Sequence, residues 1–357
     1  MRRTPSAPLS ALAVLAALGL CGSDCDPQDD TGEAPLGLVK GYGVSPLGFP
    51  LDYSLTGDFY TEVASLEGGG VMWNGGWRDD LAGGSDAGTM PGMASSLPQL
   101  ADTYGFAPIL VFGWRSGETI YLGVPDNPVS DWTNTEARAL FLSMLTEHAS
   151  TYEPPFVFIG NENSAYFEQD PDDYANWISF YEEAYDAIKA ESPSTLVGTV
   201  FNFEHLSGQG ALAGWTTPHW GALEAHDLSR IDVLALTVYP FLHHETVAEV
   251  PEDYLEPVFS RIGSTPIAVT ETGWPAEDLG DLEVPWEQSS EAQVSYVPVL
   301  ATLLAGRDVK LVNWLFLNPM VDPGDASNDW QIFGSVSIRD LAGAKRPVYD
   351  DWVAFSP

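Results

Sequence analysis

The feature that most constrains this 357-residue chain is a series of eight short apolar segments separated by longer amphipathic ones. The segments are rich in Val, Ile, Leu and Phe and span 38–44, 71–73, 108–112, 156–159, 195–200, 231–237, 266–270 and 310–316. Continuous apolar strands alternating with helices indicate a parallel sheet covered by those helices. Eight such units, without a glycine-rich nucleotide-binding turn, predict a single-domain α/β fold, a closed (β/α)8 TIM barrel.

The segments between the strands carry the helical part of this pattern. Apolar residues recur every three or four positions in 134–150, 171–190, 252–262 and 288–305, which predicts amphipathic helices. The segment 215–225, after the fifth strand, has the weakest helical pattern. In a (β/α)8 barrel the chemistry lies where strands end and the loops to the next helices begin. The residues that follow each strand are therefore the candidates for function.

The charge balance excludes several classes of ligand. The chain has 51 acidic residues against 14 basic ones, for a net charge of -37. Such a surface repels phosphate backbones and anionic lipids, which argues against binding to nucleic acid or to a membrane surface. The same repulsion disfavours anionic polysaccharides, whereas neutral sugar chains remain compatible.

The N-terminal residues 1–21 have the pattern of an export signal. Two arginines precede an apolar run, 9–20, that is too short to span a bilayer comfortably. Residues 18–21 resemble a bacterial lipobox ending in Cys21, so the protein is expected either as a lipoprotein anchored through Cys21 or as a soluble secreted protein. Residues 22–35 read as a flexible acidic linker, which leaves 36–357 for the barrel domain.

Two strands of the predicted barrel lead directly into a glutamate. The fourth strand ends in Gly160-Asn161-Glu162, and the seventh ends in Glu271. The ends of the fourth and seventh strands lie on opposing sides of a barrel mouth, so the two carboxylates are expected to face each other. A carboxyl pair about 5–5.5 Å apart is what double-displacement hydrolysis of a glycosidic bond requires. One must hold a proton and the other must be ionised, and the spacing alone does not say which.

Other polar groups near the predicted mouth carry weaker signals. Glu204 follows the fifth strand and is a rival carboxylate. His243 and His244 are adjacent, and adjacent side chains on an extended segment point apart, which disfavours a shared metal. Three aspartates after the eighth strand do not have the spacing of an EF-hand, and we expect no metal and no cofactor in the reaction. The three are Asp322, Asp325 and Asp329.

The segments around the two glutamates resemble clan A of the glycoside hydrolases. The resemblance rests on Gly160-Asn161-Glu162 together with the segment 271–275, Glu-Thr-Gly-Trp-Pro. A third segment, 237–241, reads Thr-Val-Tyr-Pro-Phe and is similar to families 17 (endo-β-1,3-glucanases) and 53 (endo-β-1,4-galactanases). The resemblance covers the barrel and is specific at these three strands.

This resemblance implies a role for several residues. Glu162 would be the acid/base and Glu271 the nucleophile. Asn161 would hydrogen-bond the 2-hydroxyl of the sugar, and Tyr239 would orient the nucleophile. Many clan members carry a histidine two positions before that tyrosine, where this chain has Thr237.

Tryptophans near the predicted mouth suggest sugar binding, because a sugar ring presents an apolar C–H face that stacks on indole. Trp73 follows the second strand, Trp114 the third and Trp274 the seventh, and all three are predicted to contact substrate. Trp314, on the eighth strand, is the platform under the cleaved sugar that the clan resemblance implies.

The sequence thus predicts an exported, retaining endo-β-glycosidase that hydrolyses a neutral polysaccharide, either β-1,3-glucan or β-1,4-galactan, by double displacement. Two alternatives use the same barrel. One is a catalytically lapsed, carbohydrate-binding surface lipoprotein, against which both glutamates argue. The other is a glucan-remodelling transglycosylase, which differs from the hydrolase only in its products.

Overall fold

A computed structural model describes residues 37–77, 92–116, 119–120, 131–277, 283–320 and 328–357. Its main sheet is made of eight parallel strands, of which the fifth is interrupted at Thr199. The strands are β1 (Val39–Gly43), β2 (Gly69–Gly76), β3 (Ala107–Gly113), β4 (Phe156–Ile159), β5 (Leu196–Gly198 and Val200–Asn202), β6 (Leu234–Val238), β7 (Ile267–Thr272) and β8 (Val309–Phe316). A two-residue antiparallel pair, Arg115–Ser116 with Thr119–Ile120, follows β3.

Helices connect the strands on the outside of the sheet. They are α1 (Thr56–Ala64), α2 (Gly92–Tyr104), α3 (Thr135–Tyr152), α4 (Ser164–Gln169), α5 (Pro171–Glu191), α6 (Phe203–Ser207), α7 (Trp220–Glu224), α8 (Glu256–Ile262), α9 (Ser290–Leu304), α10 (Asn328–Ser335) and α11 (Val348–Val353). Short 3-10 turns occupy Ala211–Ala213, Leu228–Arg230, Pro240–Leu242 and Val247–Glu249.

The sheet closes through β5. Its strand order runs from the first half of β5 through β4, β3, β2, β1, β8, β7 and β6 to the second half of β5. Thr199, between the two halves, contacts both neighbours: its hydroxyl donates to Ile159 O at 2.8 Å, and its carbonyl accepts from Ala235 N at 3.1 Å. The predicted fold, a single-domain (β/α)8 barrel, is confirmed, and each predicted strand overlaps an observed one.

Two apolar clusters form the core of the protein, one inside the barrel and one around it. The smaller cluster takes alternate residues from the strands, such as Ile109 with Val111 and Phe156 with Phe158, and this alternation identifies it as the barrel interior. The larger cluster lies between the sheet and the helices and holds most of the buried aromatic rings. The next interior-facing residue of several strands, two positions after a member of the smaller cluster, lies at the mouth of the barrel and is polar.

The helices of the outer layer follow the apolar periodicity closely. The four amphipathic stretches correspond to α3, α5, α8 and α9, with ends that differ by up to four residues. Asn134 caps α3, because its side chain accepts from two backbone amides, and Asp170 caps α5 by accepting from the amide of Asp173. The weak segment 215–225 forms only the five-residue helix α7.

The expectations for the export signal, the lipidated Cys21 and the acidic linker fall outside the described residues. Among the helices that the structure describes, none is long and apolar enough to cross a membrane.

Candidate active site

The turn after β4 places Glu162 in an unusual backbone conformation. Gly160 has φ of 81°, and Glu162 has φ of 52°, in the left-handed region that residues with a side chain rarely adopt. A Cβ at position 160 would lie 2.5 Å from Asn163 Oδ1 and 2.9 Å from Trp114 Nε1, so this turn requires glycine. Strained residues of this kind persist where the surrounding structure holds them, often at functional sites.

Two side chains from neighbouring strands hold the Glu162 carboxylate. The Thr237 hydroxyl donates to Glu162 Oε1 at 2.8 Å, and Asn202 Nδ2 donates to the same oxygen at 3.1 Å. Thr237 is fully buried on β6, and Asn202 ends β5. Thr237, which stands where many clan members carry histidine, therefore contacts the carboxylate directly.

Glu271 lies on an irregularity of β7. The pairing register of β7 with β6 shifts between Val269 and Glu271, and such a bulge re-aims the side chains around it. The Tyr239 hydroxyl donates to Glu271 Oε2 at 3.0 Å, and Asn74 Nδ2 donates to Oε1 at 3.1 Å. Both carboxylate oxygens of Glu271 thus accept a hydrogen bond.

β6 and its first following residue link the two glutamates. Thr237 contacts Glu162, and Tyr239, two residues further on, contacts Glu271. Alternate residues of an extended segment face the same side and are about 7 Å apart. The two carboxylates therefore lie at the same mouth of the barrel.

The proximity of the two carboxylates is visible in their electrostatics. Burial, together with the negative charge of Glu162, raises the pKa of Glu271 to about 7, against the donated hydrogen bonds of Tyr239 and Asn74. The Glu271 carboxyl therefore exchanges its proton near neutral pH rather than near its ordinary pKa of 4.5.

The rival carboxylate, Glu204, lies behind Tyr239 rather than in the open cleft. It is completely buried, and its Oε1 accepts from Tyr239 N at 2.8 Å and from the Tyr254 hydroxyl at 3.1 Å. Burial raises the pKa of Glu204 to about 8, so the carboxyl is neutral at neutral pH. Glu204 therefore supports Tyr239 and has no access to a substrate in this structure.

The four tryptophans predicted to contact substrate lie in the outer cluster. Trp114 is packed against Trp132, Tyr166 and Trp177 at ring distances of 4.6–5.0 Å. Trp274 contacts two rings, and its indole N–H donates to Glu287 O at 2.9 Å. Indoles enclosed in this way offer no face to a sugar, so these two predictions are corrected.

Trp73 and Trp314 require the same correction. Trp73 lies on the outer face of β2, where its ring covers Gly75, whereas the next residue, Asn74, points into the mouth. Trp314 is fully buried against Tyr296 and Trp352, and its indole N–H donates to Val336 O. The half-buried aromatic ring near this end of β8 belongs to Phe316.

Asn161 is half-buried, and within the described residues its side chain has no hydrogen-bond partner, so its amide is available to a ligand. The role assigned to it, like the roles of Glu162, Glu271 and Tyr239, remains a prediction. His243 and His244 stand 4.7 Å apart with rings at 84°. Of the aspartates after β8, Asp322 and Asp325 fall outside the described residues, and the side chain of Asp329 is not described.

Three residues that hold the carboxylates were missed as ligands of the site: Asn74, Asn202 and Thr237. A usable signal was present for all three. Each is a polar residue at or near the end of a barrel strand. Each also lies two residues after an apolar residue that faces the barrel interior (Met72, Val200 and Ala235), so its side chain faces the interior as well.

Comparison with known proteins supports a carbohydrate-active enzyme. The model of glycosyl hydrolase family 53 matches residues 133–302, which contain both Glu162 and Glu271. No curated protein matches the sequence significantly. The predicted resemblance to clan A, with family 53 among its nearest members, is confirmed, and the chain is a glycoside hydrolase.

Solved structures with the same barrel have low sequence identity. The glycoside hydrolase family 53 catalytic domain of Ignisphaera aggregans is 13% identical, with 89% of this chain and 92% of that chain covered and a TM-score of 0.56. An active-site mutant of Rhizomucor miehei β-1,3-glucanosyltransferase in complex with laminaritriose is 12% identical, with 87% and 96% covered and a TM-score of 0.54. An exo-β-1,4-mannosidase from Opitutaceae bacterium strain TAV5 is 18% identical, with 88% and 58% covered and a TM-score of 0.60. At these identities the likeness shows the fold alone.

Proposed function

We propose that this protein is a retaining endo-β-glycosidase that cleaves a neutral polysaccharide, with Glu162 as acid/base and Glu271 as nucleophile. The observation that carries the proposal is the pair of strand-end glutamates, each held by hydrogen-bond donors and joined through Thr237 and Tyr239 on one segment. These hydrogen bonds fix the positions of the two carboxyl groups that double displacement requires.

The distribution of donors supports this assignment of roles. Both oxygens of Glu271 accept a hydrogen bond, which favours its ionised form, the form that attacks an anomeric carbon. Both donors to Glu162 bind Oε1, and the described residues provide no partner for Oε2. Oε2 is therefore the oxygen that can carry the proton to the leaving group.

The reaction follows from these positions. Glu162 protonates the glycosidic oxygen while Glu271 attacks the anomeric carbon, and a covalent glycosyl-enzyme forms as the bond to the leaving sugar breaks. Water then attacks the same carbon, Glu162 removes its proton, and Glu271 leaves as a carboxylate. Two inversions at one carbon retain the β configuration.

We favour β-1,4-galactan as the substrate, because the family 53 model matches a range that contains both glutamates and because the segment 237–241 resembles the endo-β-1,4-galactanases of that family. β-1,3-glucan is the second candidate, and the similarity of the barrel to a β-1,3-glucanosyltransferase favours it. That second candidate includes transfer of the glycosyl group to another sugar in place of water.

A panel of neutral polysaccharides tests the substrate. We expect reducing ends to be released from β-1,4-galactan and not from β-1,4-mannan, and chromatography of the products separates hydrolysis from transfer. NMR during the first turnovers is expected to show the β-anomer before mutarotation. An initial α-anomer would disprove the retaining mechanism whatever the substrate.

Chemical rescue tests the two roles separately. In Glu271→Ala, azide can occupy the place of the nucleophile and is expected to give an α-glycosyl azide. In Glu162→Ala, azide is expected to attack the glycosyl-enzyme and give the β-glycosyl azide. The opposite pairing of variants and products would reverse the assignment.

We also propose that the protein is exported, on the basis of the basic and apolar pattern in residues 1–21. Mass spectrometry of the protein recovered from its native host is expected to show an N-terminus at or near Cys21. Diacylglycerol on that cysteine would identify a lipoprotein, whereas an unmodified cleaved terminus would identify a secreted protein.

A further inference from the structure

A cluster of three metal-ligating side chains lies beside the carboxylate pair and is not used in the proposed hydrolysis. Its members are Glu168 on α4, His205 on α6 and His219 at the start of α7, and their ligand atoms all lie within 4.8 Å of one another. The three lie in the segments that follow β4 and β5. Only the folded barrel brings them together.

The distances in this cluster are close to the spacing of ligand atoms around a metal ion, with each imidazole next to a different oxygen of the Glu168 carboxylate. Glu168 Oε2 is 3.1 Å from His205 Nε2, and Glu168 Oε1 is 3.6 Å from His219 Nε2. Around a tetrahedral Zn²⁺ with bonds of about 2.0–2.1 Å, adjacent ligand atoms are about 3.3 Å apart. Both imidazoles direct the same nitrogen, Nε2, at one carboxylate.

The surroundings of His205 fix its ring for this role. Its Nδ1 lies 3.1 Å from Ser164 Oγ, and the Trp215 ring packs edge-on against it at 5.3 Å. If Nδ1–H donates to the serine, the Nε2 lone pair faces Glu168. A second hydrogen bond of this kind commonly orients a metal-bound imidazole.

The backbone around the cluster is also held in place. His219 N donates to Leu206 O at 2.8 Å, which ties the start of α7 to α6. Gly208 makes this approach possible, because a Cβ there would lie 2.8 Å from Pro218 N. The His205 and His219 rings are stacked, with centroids 4.7 Å apart and an interplanar angle of 8°, so one of the two rings must rotate for both Nε2 lone pairs to point at a single ion.

We propose that Glu168, His205 and His219 form a binding site for a divalent transition-metal ion, with Zn²⁺ the best match to two imidazoles and one carboxylate. The side chain of Glu168 is 58% exposed, so a water molecule can reach the fourth position of a tetrahedral ion. The site has three protein ligands and is open to solvent.

Bound metal would stabilise the loops that carry the active site. Asn202 connects the two places: its Oδ1 accepts from His205 N at 2.9 Å, and its Nδ2 donates to Glu162 Oε1 at 3.1 Å. Ser164, the partner of His205, is two residues from Glu162. A metal that joins α4 to α6 therefore braces both segments against which Glu162 is held.

Isothermal titration calorimetry of the full chain, stripped with a chelator and titrated with ZnCl₂, tests the proposal. We expect a site of one equivalent whose affinity falls at least roughly 100-fold in Glu168→Gln and in His219→Gln, because each substitution removes a ligand. The matched control is His243→Gln, which removes another half-buried histidine from a loop at the same mouth and is expected to bind zinc like the wild type.

Two further readouts separate a specific site from zinc bound elsewhere. Co²⁺ is expected to give the visible d–d absorption of a tetrahedral site in the wild type and in His243→Gln, but not in Glu168→Gln. Zinc is expected to raise Tm in the same two proteins and not in the two ligand variants. Zinc bound by Cys21 and Cys25 instead would be observed equally in the wild type and in all three variants.

Wild-type protein without a one-equivalent site, or with a zinc affinity that Glu168→Gln and His219→Gln leave unchanged, would overturn the proposal. The cluster would then be a hydrogen-bonded ion pair between Glu168 and the two histidines. None of these measurements depends on glycoside hydrolysis, so the metal site and the proposed function are tested separately.

Discussion

Tyr239 separates two glutamates in contrasting environments. Its hydroxyl donates to Glu271, which lies half-buried in the mouth, and its backbone N–H donates to Glu204, which is completely buried behind it. Burial raises the pKa of both carboxyls, to about 7 for Glu271 and about 8 for Glu204. A raised pKa therefore does not distinguish a reacting group from a structural one.

Access and donor chemistry make the distinction. Glu271 has a donor on each oxygen, and these donors favour its ionised form against the burial and the nearby Glu162 charge that raise its pKa. Glu204 has two donors on Oε1, and its buried Oε2 has no described partner, which suits a protonated carboxyl. We interpret Glu204 as a neutral, structural residue that holds the backbone at Tyr239.

The largest expected difference between the two environments is in turnover. Glu271→Ala should lower kcat by roughly 10,000-fold or more, because it removes the nucleophile. Glu162→Gln should lower it by about 100- to 10,000-fold through loss of the acid. Glu204→Gln keeps an acceptor at Oε1 and should remain within a few-fold of the wild type. Equal losses in Glu204→Gln and Glu271→Ala, with circular dichroism unchanged, would contradict the contrast.

A smaller effect is expected from the two tyrosines that donate to these carboxyls. Tyr239→Phe removes a hydrogen bond to an ionised group, worth about 1.5–3 kcal/mol, and should lower kcat/KM by about 10- to 100-fold. Because the Tyr239 hydroxyl lowers the pKa of Glu271, the acidic limb of the pH–rate profile should also move to higher pH. The matched variant Tyr254→Phe should leave the profile in place and cost about 1 kcal/mol of unfolding free energy. A shifted profile in Tyr254→Phe would instead connect Glu204 to the chemistry.

Thr237→Val should have a more modest effect, restricted to the acid step. The hydroxyl donates to Glu162 Oε1, and its loss should lower kcat by roughly three- to tenfold. Aryl glycosides with good leaving groups need little protonation, so the loss should be largest for poor leaving groups. Thr195→Val, at the other end of the barrel, is the matched control and should show no dependence on the leaving group. A loss that is uniform across leaving groups would separate Thr237 from the acid.

The smallest expected effect is on stability against pH. A carboxyl with a raised pKa stabilises the fold fully below its ordinary pKa of 4.5, and that contribution is lost as pH rises to about 7 for Glu271 and about 8 for Glu204. Glutamine does not titrate, so the Tm of Glu271→Gln and of Glu204→Gln should rise relative to the wild type over these intervals. Calorimetry from about pH 5 to about pH 9 measures the difference, and a variant Tm that stays level or falls relative to that of the wild type as pH rises would contradict both assignments.

The architecture could be predicted because its strands and helices follow from the spacing of apolar residues that are close together in the chain. Each buried strand appears as a short apolar run, and α3, α5, α8 and α9 appear as amphipathic repeats. The rule that barrel chemistry lies at the ends of strands then led to Glu162 and Glu271 without knowledge of any contact. α7 was weakly marked because a five-residue helix is too short to show a full period.

The tryptophans show where sequence reasoning failed. A residue type suited to sugar binding was assigned to the mouth, but Trp73, on the outer face of β2, and Trp114, just after β3, are both packed in the outer cluster. Trp73 and Asn74 are adjacent on β2, so their side chains point to opposite faces of the sheet. The Trp73 ring faces outward, whereas the Asn74 amide faces the mouth and contacts Glu271. Which of the two alternating faces of a strand points into the barrel is decided by the closed sheet and not by the residues of that strand alone.

By itself, the sequence determined the eight-fold alternation of strands and helices and the two glutamates at strand ends, since both depend on residues close together in the chain. Only the tertiary structure decided that Asn74, Asn202 and Thr237 hold these carboxylates and that Glu204 is sealed away from them. These contacts join residues 35 to 197 positions apart. They exist because the barrel closes and because the turn at Glu162 and the bulge at Glu271 re-aim the side chains, and no local pattern encodes those three events together.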